Sequence, residues 1–223
     1  MIPWIQIDKA MVPSGGELRL MQRGAEFSIK LDSNELMNSR LSGSEQALAT
    51  LACEIIGTRK GPRMLIGGLG MGFTLRAALG ALPSDAHIDV AELVPAVIAW
   101  ARGPMAALYG DSLNDKRVSI HESDVGALIA HAASNYDAIL LDVDNGPDGL
   151  SRPSNDKLYD AAGLGAAYAA LRPGGVLAVW SSAPDASFTR RLRHAGFGVD
   201  EKRVRAHGSG GARHVIWLAT RAT

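Results

Sequence analysis

The sequence predicts an α/β protein built on a mostly parallel sheet of seven strands, covered by helices on both faces and finished by an antiparallel last strand. Three observations carry this. An apolar run, Met64-Leu65-Ile66, ends in four glycines within six residues (Gly67, Gly68, Gly70, Gly72) and passes directly into a helical pattern. From there, short β-type runs alternate with helical stretches of about 10–15 residues, as parallel strands joined by crossover helices require. Two final runs, residues 199–204 and 214–219, are joined only by a short Gly/Ser-rich connection, residues 206–212. That connection is too short for a crossover helix, so the last strand turns back.

In chain order, residues 1–41 read as a small β extension and residues 42–223 as the main domain. Residues 18–21 and 27–31 alternate apolar and polar about a turn at Arg23-Gly24, the pattern of a half-exposed hairpin, with a second turn at Asp32-Ser33-Asn34. A piece this small has no adequate core, so its apolar face is expected to pack on the main domain or on a partner subunit. Ser42-Gly43-Ser44-Glu45 reads as a capping box opening a helix through Ile56, stopped at Gly57. The first strand then runs into the glycine turn and a helix carrying Phe73, Leu75, Ala78 and Leu79. Further strands follow at residues 88–91, 118–120, 138–141 and 176–180, with helices over 95–102, 125–132, 156–171 and 184–194.

Composition sets the limits. With 223 residues, the chain can bury roughly 70% of its unfolded surface. It is 47% apolar and 21% charged, the balance of an ordinary soluble globular protein. A net charge of zero disfavours a general nucleic-acid binder. Residues 84–160 hold thirteen acids against five bases, whereas the stretch from Arg190 onward is basic. Such an acidic middle suits a cationic ligand or a solvated surface equally well. One cysteine, Cys53, excludes an intrachain disulfide framework and reads as a small core residue. No apolar run approaches the roughly 18–20 residues of a membrane span, and no signal peptide opens the chain. A cytoplasmic protein is expected, bound to neither membrane nor nucleic acid.

The chemistry is expected at the carboxyl ends of the parallel strands, where open α/β sheets bind ligands. Four successive strands end in ligand-type groups: the glycine turn (Gly67, Gly68, Gly70, Gly72), Glu92, Asp124 and Asp142. The turn brings a ligand close to backbone N–H groups at a helix N-terminus. Glu92 lies about twenty residues beyond it, where a carboxylate can accept both hydroxyls of a ribose. Asp124 is placed to accept from an adenine amine. Each acid has a plain alternative as a helix N-cap; together they describe an adenosine-type site. The glycine spacing is not the G-x-G-x-x-G of dinucleotide folds, and the antiparallel ending departs from two mirrored halves, which argues against NAD.

These residues resemble the spermidine synthase-like branch of the class I S-adenosylmethionine-dependent transferases. The resemblance runs from about Glu17 to Thr220. It is carried by residues 66–72 (Ile-Gly-Gly-Leu-Gly-Met-Gly), residues 90–98 around Glu92, residues 136–142 ending in Asp142, Leu158-Tyr159, and residues 171–177 around Pro173-Gly174-Gly175. It implies the Rossmann-like class I methyltransferase fold, with S-adenosylmethionine or its decarboxylated form as the bound nucleoside. The glycine turn would hold the methionine-derived tail, Glu92 the ribose and Asp124 the adenine. Asp142 would face the sulfonium and the incoming nucleophile. A homodimer is also implied.

The departures bear on the acceptor. Gly70 stands where spermidine synthases carry an Asp that anchors the aminopropyl ammonium. The loop Asp142-Val143-Asp144-Asn145-Gly146 replaces their Asp-Ser-Ser-Asp-Pro, and Gly43-Ser44-Glu45 stands in place of their Tyr-His-Glu. Asp142 and Asp144 are the candidate catalytic acids, orienting an amine or hydroxyl or taking its proton. No metal is expected. Among the aromatics, Trp180 is expected in the core or on the acceptor pocket, and His121 beside the nucleoside as a supporting or surface group. The function this predicts is methyl transfer to a small acceptor, an amine among the candidates. Aminopropyl transfer from the decarboxylated donor is the alternative, and a non-catalytic nucleoside-binding protein the third.

Overall fold

A computed structural model describes residues 2–13, 15–143, 147, 156–207 and 210–223. Two sheets organise it. The first is an antiparallel meander, β1 (Ile5–Met11), β2 (Glu17–Arg23), β3 (Glu26–Leu31) and β4 (Asn34–Asn38). It is larger than the hairpin read from the sequence, because β1 and β4 flank the two expected strands. Leu18 and Leu20 of β2, with Phe27 and Ile29 of β3, are buried in the same apolar cluster as the main domain. The extension's apolar face therefore packs on its own chain. The Trp100 indole N–H adds a tie by donating to Asp8 of β1 at 2.7 Å.

The main sheet holds β5 (Arg63–Gly67), β6 (His87–Glu92), β7 (Val118–Glu122), β8 (Tyr136–Leu141), β9 (Leu171–Ser181), β10 (Gly198–His207) and β11 (Gly210–Thr220). Their spatial order is β10-β11-β9-β8-β5-β6-β7. The β5–β6, β6–β7, β5–β8 and β8–β9 pairs are parallel; β11 lies antiparallel between β9 and β10. This is the expected seven-stranded fold with its reversed last strand.

Alternation along the central strands builds two cores. Met64 and Ile66, Ala138 and Leu140, Val176 and Ala178 face one cluster, which also takes in α1 (Gly43–Ile56) and α2 (Phe73–Ala81). Leu65, Ile139, Leu141, Leu177 and Val179 face the other, beneath α5 (Val125–Ala130), α7 (Ala161–Ala170) and α8 (Ala186–His194). Period-2 strands buried on both faces are what a doubly covered parallel sheet demands. The crossovers also contain α3 (Pro95–Arg102), α4 (Ala106–Tyr109) and α6 (Asp156–Tyr159).

Two local expectations are corrected. The helix expected over 156–171 is broken: Asp160 leaves helical geometry and its side chain caps α7 through the Gly163 N–H at 2.8 Å. The capping box at Ser42 does not form. Ser42 makes no cap hydrogen bond, and Glu45 bonds instead to the neighbouring Ser44 hydroxyl. At the amino end of the sheet, buried Asp137 accepts from Arg59 (2.6 Å), Arg172 (2.8 Å) and the Arg63 N–H (2.8 Å), clamping β5, β8 and β9. Among the described residues, no helix is long and apolar enough to cross a membrane.

Candidate active site

At the carboxyl ends of β5, β6, β7 and β8 lies a cavity of about 360 Å³. Its walls include Gly68, Gly70, Glu92, Asp124 and Asp142, so groups from four strand ends meet in one place. Asp144 lies outside the described residues.

The glycine turn is shaped by close packing. Gly68 has φ +92°, and a Cβ there would stand 2.5 Å from the Asp142 carbonyl oxygen. No side chain fits, and φ in this region disfavours any L-residue. Gly72 caps α2 with φ +76°, and its missing Cβ leaves room for the Tyr109 ring, which a methyl group would meet at 2.4 Å. Gly67 is pressed in the same way against Val125. Gly67 and Gly72 thus shape the turn from behind, while Gly68 and Gly70 border the cavity. Tyr109 also donates its hydroxyl to the Gly70 carbonyl at 2.6 Å, and burial, helped by Glu92, pushes its pKa well above the usual phenol value. It stays a neutral donor.

Glu92 ends β6 with its carboxylate held twice. Leu69 of the turn donates its N–H to Oε2 at 3.0 Å, and Val94 donates to Oε1 at 2.8 Å. The acid is thereby fixed against the glycine turn. Asp124 is both things the sequence allowed. It borders the cavity and caps α5, accepting from Gly126 at 2.7 Å and Ala127 at 3.3 Å.

Asp142 follows β8 and accepts from the Thr74 hydroxyl at 2.6 Å. Burial pushes its carboxyl up to about 7 and the nearby Glu45 charge adds to the rise, against the lowering effect of the Thr74 bond. Such a carboxyl is poised to take a proton near neutrality.

Several wall residues were missed. Glu45 and Ser44 come from the first turn of α1 and His214 from β11. Trp180, left open by the sequence, lines the cavity and meets His214 edge-on, ring centroids 4.7 Å apart. The local signal was Gly43: a Cβ there would lie 3.0 Å from the Ala206 carbonyl oxygen, so glycine lets α1 abut β10. His121 lies outside the cavity wall and bonds Asp89 at 2.8 Å.

The order of the seven strands and a carboxylate-rimmed glycine turn define a class I S-adenosylmethionine-dependent methyltransferase-like fold. The family model described as the spermine/spermidine synthase domain matches residues 56–187. The chain belongs to that family. Solved structures agree on the fold. Spermidine synthase from Thermotoga maritima superposes with a TM-score of 0.76 at 16% identity, covering 97% of this chain and 72% of that one. A spermidine synthase in complex with the transition-state analogue AdoDATO gives the same values. A probable spermidine synthase from Corynebacterium glutamicum ATCC 13032 gives 0.66 at 13% identity, covering 97% and 79%. No curated protein matches in sequence.

These matches overturn the preference for methyl transfer. That preference rested on departures in the acceptor half, Gly70 foremost, whereas the family match spans the glycine turn and the loop after Asp142. The structure supplies a physical reason as well: Glu45 adds a carboxylate to the same cavity from another helix, so a neutral residue 70 does not leave a cation without a partner.

Proposed function

We propose that this protein transfers an aminopropyl group from decarboxylated S-adenosylmethionine to a small amine. One observation carries the reading. Glu35, Glu45, Glu92, Asp124 and Asp142 all border the cavity, and no lysine or arginine stands among its described lining residues. A carboxylated methionine tail would meet like charge there, whereas a sulfonium bearing an ammonium tail is matched by these acids. The family membership and the complex of a relative with AdoDATO support the same donor.

In this reading the Gly68–Gly70 turn, Glu92 and Asp124 hold the nucleoside. Asp142 takes the acceptor's ammonium proton, a role suited to a carboxyl raised to about 7. The freed amine lone pair attacks the aminopropyl carbon on sulfur. The C–N bond forms as the C–S bond breaks, its electron pair staying on sulfur and neutralising the sulfonium. No side-chain nucleophile is required; placement and charge do the work.

The test is to supply both donors with a panel of amines and analyse products by mass spectrometry. The expected result is 5′-methylthioadenosine and an aminopropylated amine in equal amounts from the decarboxylated donor alone. Turnover of the carboxylated donor with no product from the decarboxylated one would refute the reading.

The reading extends to a cytoplasmic homodimer. A lone unpaired thiol, Cys53, suits a reducing compartment. On the outer strand β1 and just before it, Ile2, Ile5, Ile7 and Met11 are 65%, 55%, 37% and 69% exposed, apolar side chains available to a second copy at this edge. Light scattering should give twice the chain mass, and Ile5→Lys should return the monomer.

A further inference from the structure

The basic stretch near the end of the sequence has a definite place in the fold. Between Arg190 and Arg213 stand seven Lys/Arg against two Asp/Glu, in a chain whose net charge is zero. Arg190 and Arg193 are exposed on α8, Arg203 and Arg205 on β10, and Arg213 on β11. Among the described residues, none of these five side chains makes a hydrogen bond or an ion pair. Elsewhere, Arg102 is the sole described arginine in that condition. The nearby acids are engaged with other groups: Asp185 with Arg191 at 3.4 Å, Asp200 with Lys202 at 2.7 Å, and Glu201 with the Thr189 hydroxyl at 3.4 Å. The pairing of β9 with β11 ends at Ser181 opposite Val215, and beyond it β10 and β11 continue as a two-stranded ribbon. Val204 and His214 turn toward α1, where His214 lies 2.9 Å from Ser44. Side chains alternate along a strand, so Arg203, Arg205 and Arg213 occupy the opposite, open face. This is also the side of α8, whose Phe188 and Leu192 share a core with Val199 and Val215. Arg205 and Arg213 are direct cross-strand partners. Like charges so placed cost stability, a cost that an anion between them offsets.

We propose that this face is a docking surface for the phosphate backbone of a double-stranded nucleic acid. None of the five arginines belongs to the cavity wall, so the proposal stands apart from the aminopropyl-transfer reading. Guanidinium grips phosphate oxygens in pairs and keeps its charge throughout the physiological range. Arg203 and Arg205 stand about 6.8 Å apart along β10, with Arg213 about 5 Å across from Arg205, so each is free to take a separate phosphate oxygen. A two-stranded ribbon is also of a size to enter a duplex groove. The chemistry of the patch separates this partner from others. The exposed large apolar side chains, Ile2, Ile5, Ile7, Met11, Leu41 and Ile55, all lie elsewhere. A protein interface needs an apolar centre, and a bilayer surface needs an apolar face to insert. A phosphate backbone is held by charge and hydrogen bonds alone. The net charge of zero, which disfavours a general nucleic-acid binder, conceals the patch because the balancing acids gather at residues 84–160.

The experiment is fluorescence anisotropy of a labelled DNA duplex of about 20 base pairs, titrated with the full chain from about 50 to 200 mM salt. Binding should be about micromolar at the low-salt end. The logarithm of the binding constant should fall against the logarithm of salt with a slope of about −3 to −4, as three or four phosphate contacts require. Arg203→Gln, Arg205→Gln and Arg213→Gln should each reduce that slope by about one, and Arg205→Glu combined with Arg213→Glu should abolish binding. In all of them 5′-methylthioadenosine affinity should stay within about twofold of wild type, and the melting temperature should not fall. Charged side chains also keep an edge strand such as β10 from pairing with another sheet. Glutamate serves that purpose as well as arginine does, so duplex binding that survives the double glutamate variant would overturn the proposal. No duplex binding at low salt, or a slope untouched by the glutamine variants, would overturn it as well. Tighter binding of polyglutamate, or of phosphatidylcholine vesicles with about one-third phosphatidylserine, than of the duplex would do the same.

Discussion

Replacing Asp142 by Asn should make the protein more stable and much less active, and the stability gain should depend on pH. The folded protein holds this carboxyl at about 7 against an ordinary 3.8, chiefly because burial disfavours its charge and secondarily because Glu45 is near. Between those values the folded state binds the proton more tightly than the unfolded state. Stability therefore falls as pH rises through that window and is lowest above it. At about 1.4 kcal/mol per tenfold change in proton affinity, the cost of ionised Asp142 at pH 8 is about 4 kcal/mol. The carboxyl opens onto the cavity, and solvent screening reduces this to about 2 kcal/mol. Asparagine keeps an acceptor for Thr74 and carries no charge. For a chain of this length, Asp142→Asn should then raise the melting temperature by about 4–8 °C at pH 8. The gain should shrink steadily through pH 6 and vanish below pH 4. Scanning calorimetry at several pH values measures it, with kcat falling by about a hundredfold or more in parallel. A variant no more stable than wild type at pH 8, or stabilised equally at pH 8 and pH 4, would refute the account of this carboxyl.

Three further outcomes are expected. Asp137→Ala leaves two guanidinium groups and the Arg63 N–H without their shared acceptor at the end of the sheet remote from the cavity. Because both arginines reach water, the loss should be about 3 kcal/mol, read as a melting temperature about 6–12 °C lower with 5′-methylthioadenosine affinity unchanged. Gly72→Ala drives a methyl group into the Tyr109 ring at a left-handed backbone position; denaturant titration should show about 3 kcal/mol lost, with weakened nucleoside binding. Trp100→Phe removes the indole donor to Asp8 and should cost about 1–2 kcal/mol, seen first as faster proteolysis within the N-terminal sheet.

What the sequence made legible follows local pattern. The alternation of Met64-Leu65-Ile66 and the matching runs in β8 and β9 announce strands buried on both faces, and the glycines mark where the first must turn. Glu92, Asp124 and Asp142 were legible because strand ends converge in this topology. Ser44, Glu45 and His214 were not. Their meeting is a contact across nearly the whole chain, and α1 by itself reads as an ordinary amphipathic helix with a capping signal. The strand β1 was hidden for a related reason. Its Ile5 and Met11 are exposed, so no buried face repeats along it. Methyl transfer was favoured because Gly70 and the other local departures from the family pattern were weighed position by position, while Glu45, an acid that shares the cavity, comes from α1.

The place of β11 has a consequence for assembly. Synthesised after β10, it nevertheless lies inside it, and β10 reaches the rest of the sheet only through it. A growing chain must hold β10 in reserve, its edge groups unsatisfied, until the succeeding strand arrives and joins both neighbours at once. His214 travels on that strand, so its side of the cavity wall is the last to come into being. Partly made chains would carry the glycine turn well before the cavity wall that faces it was complete.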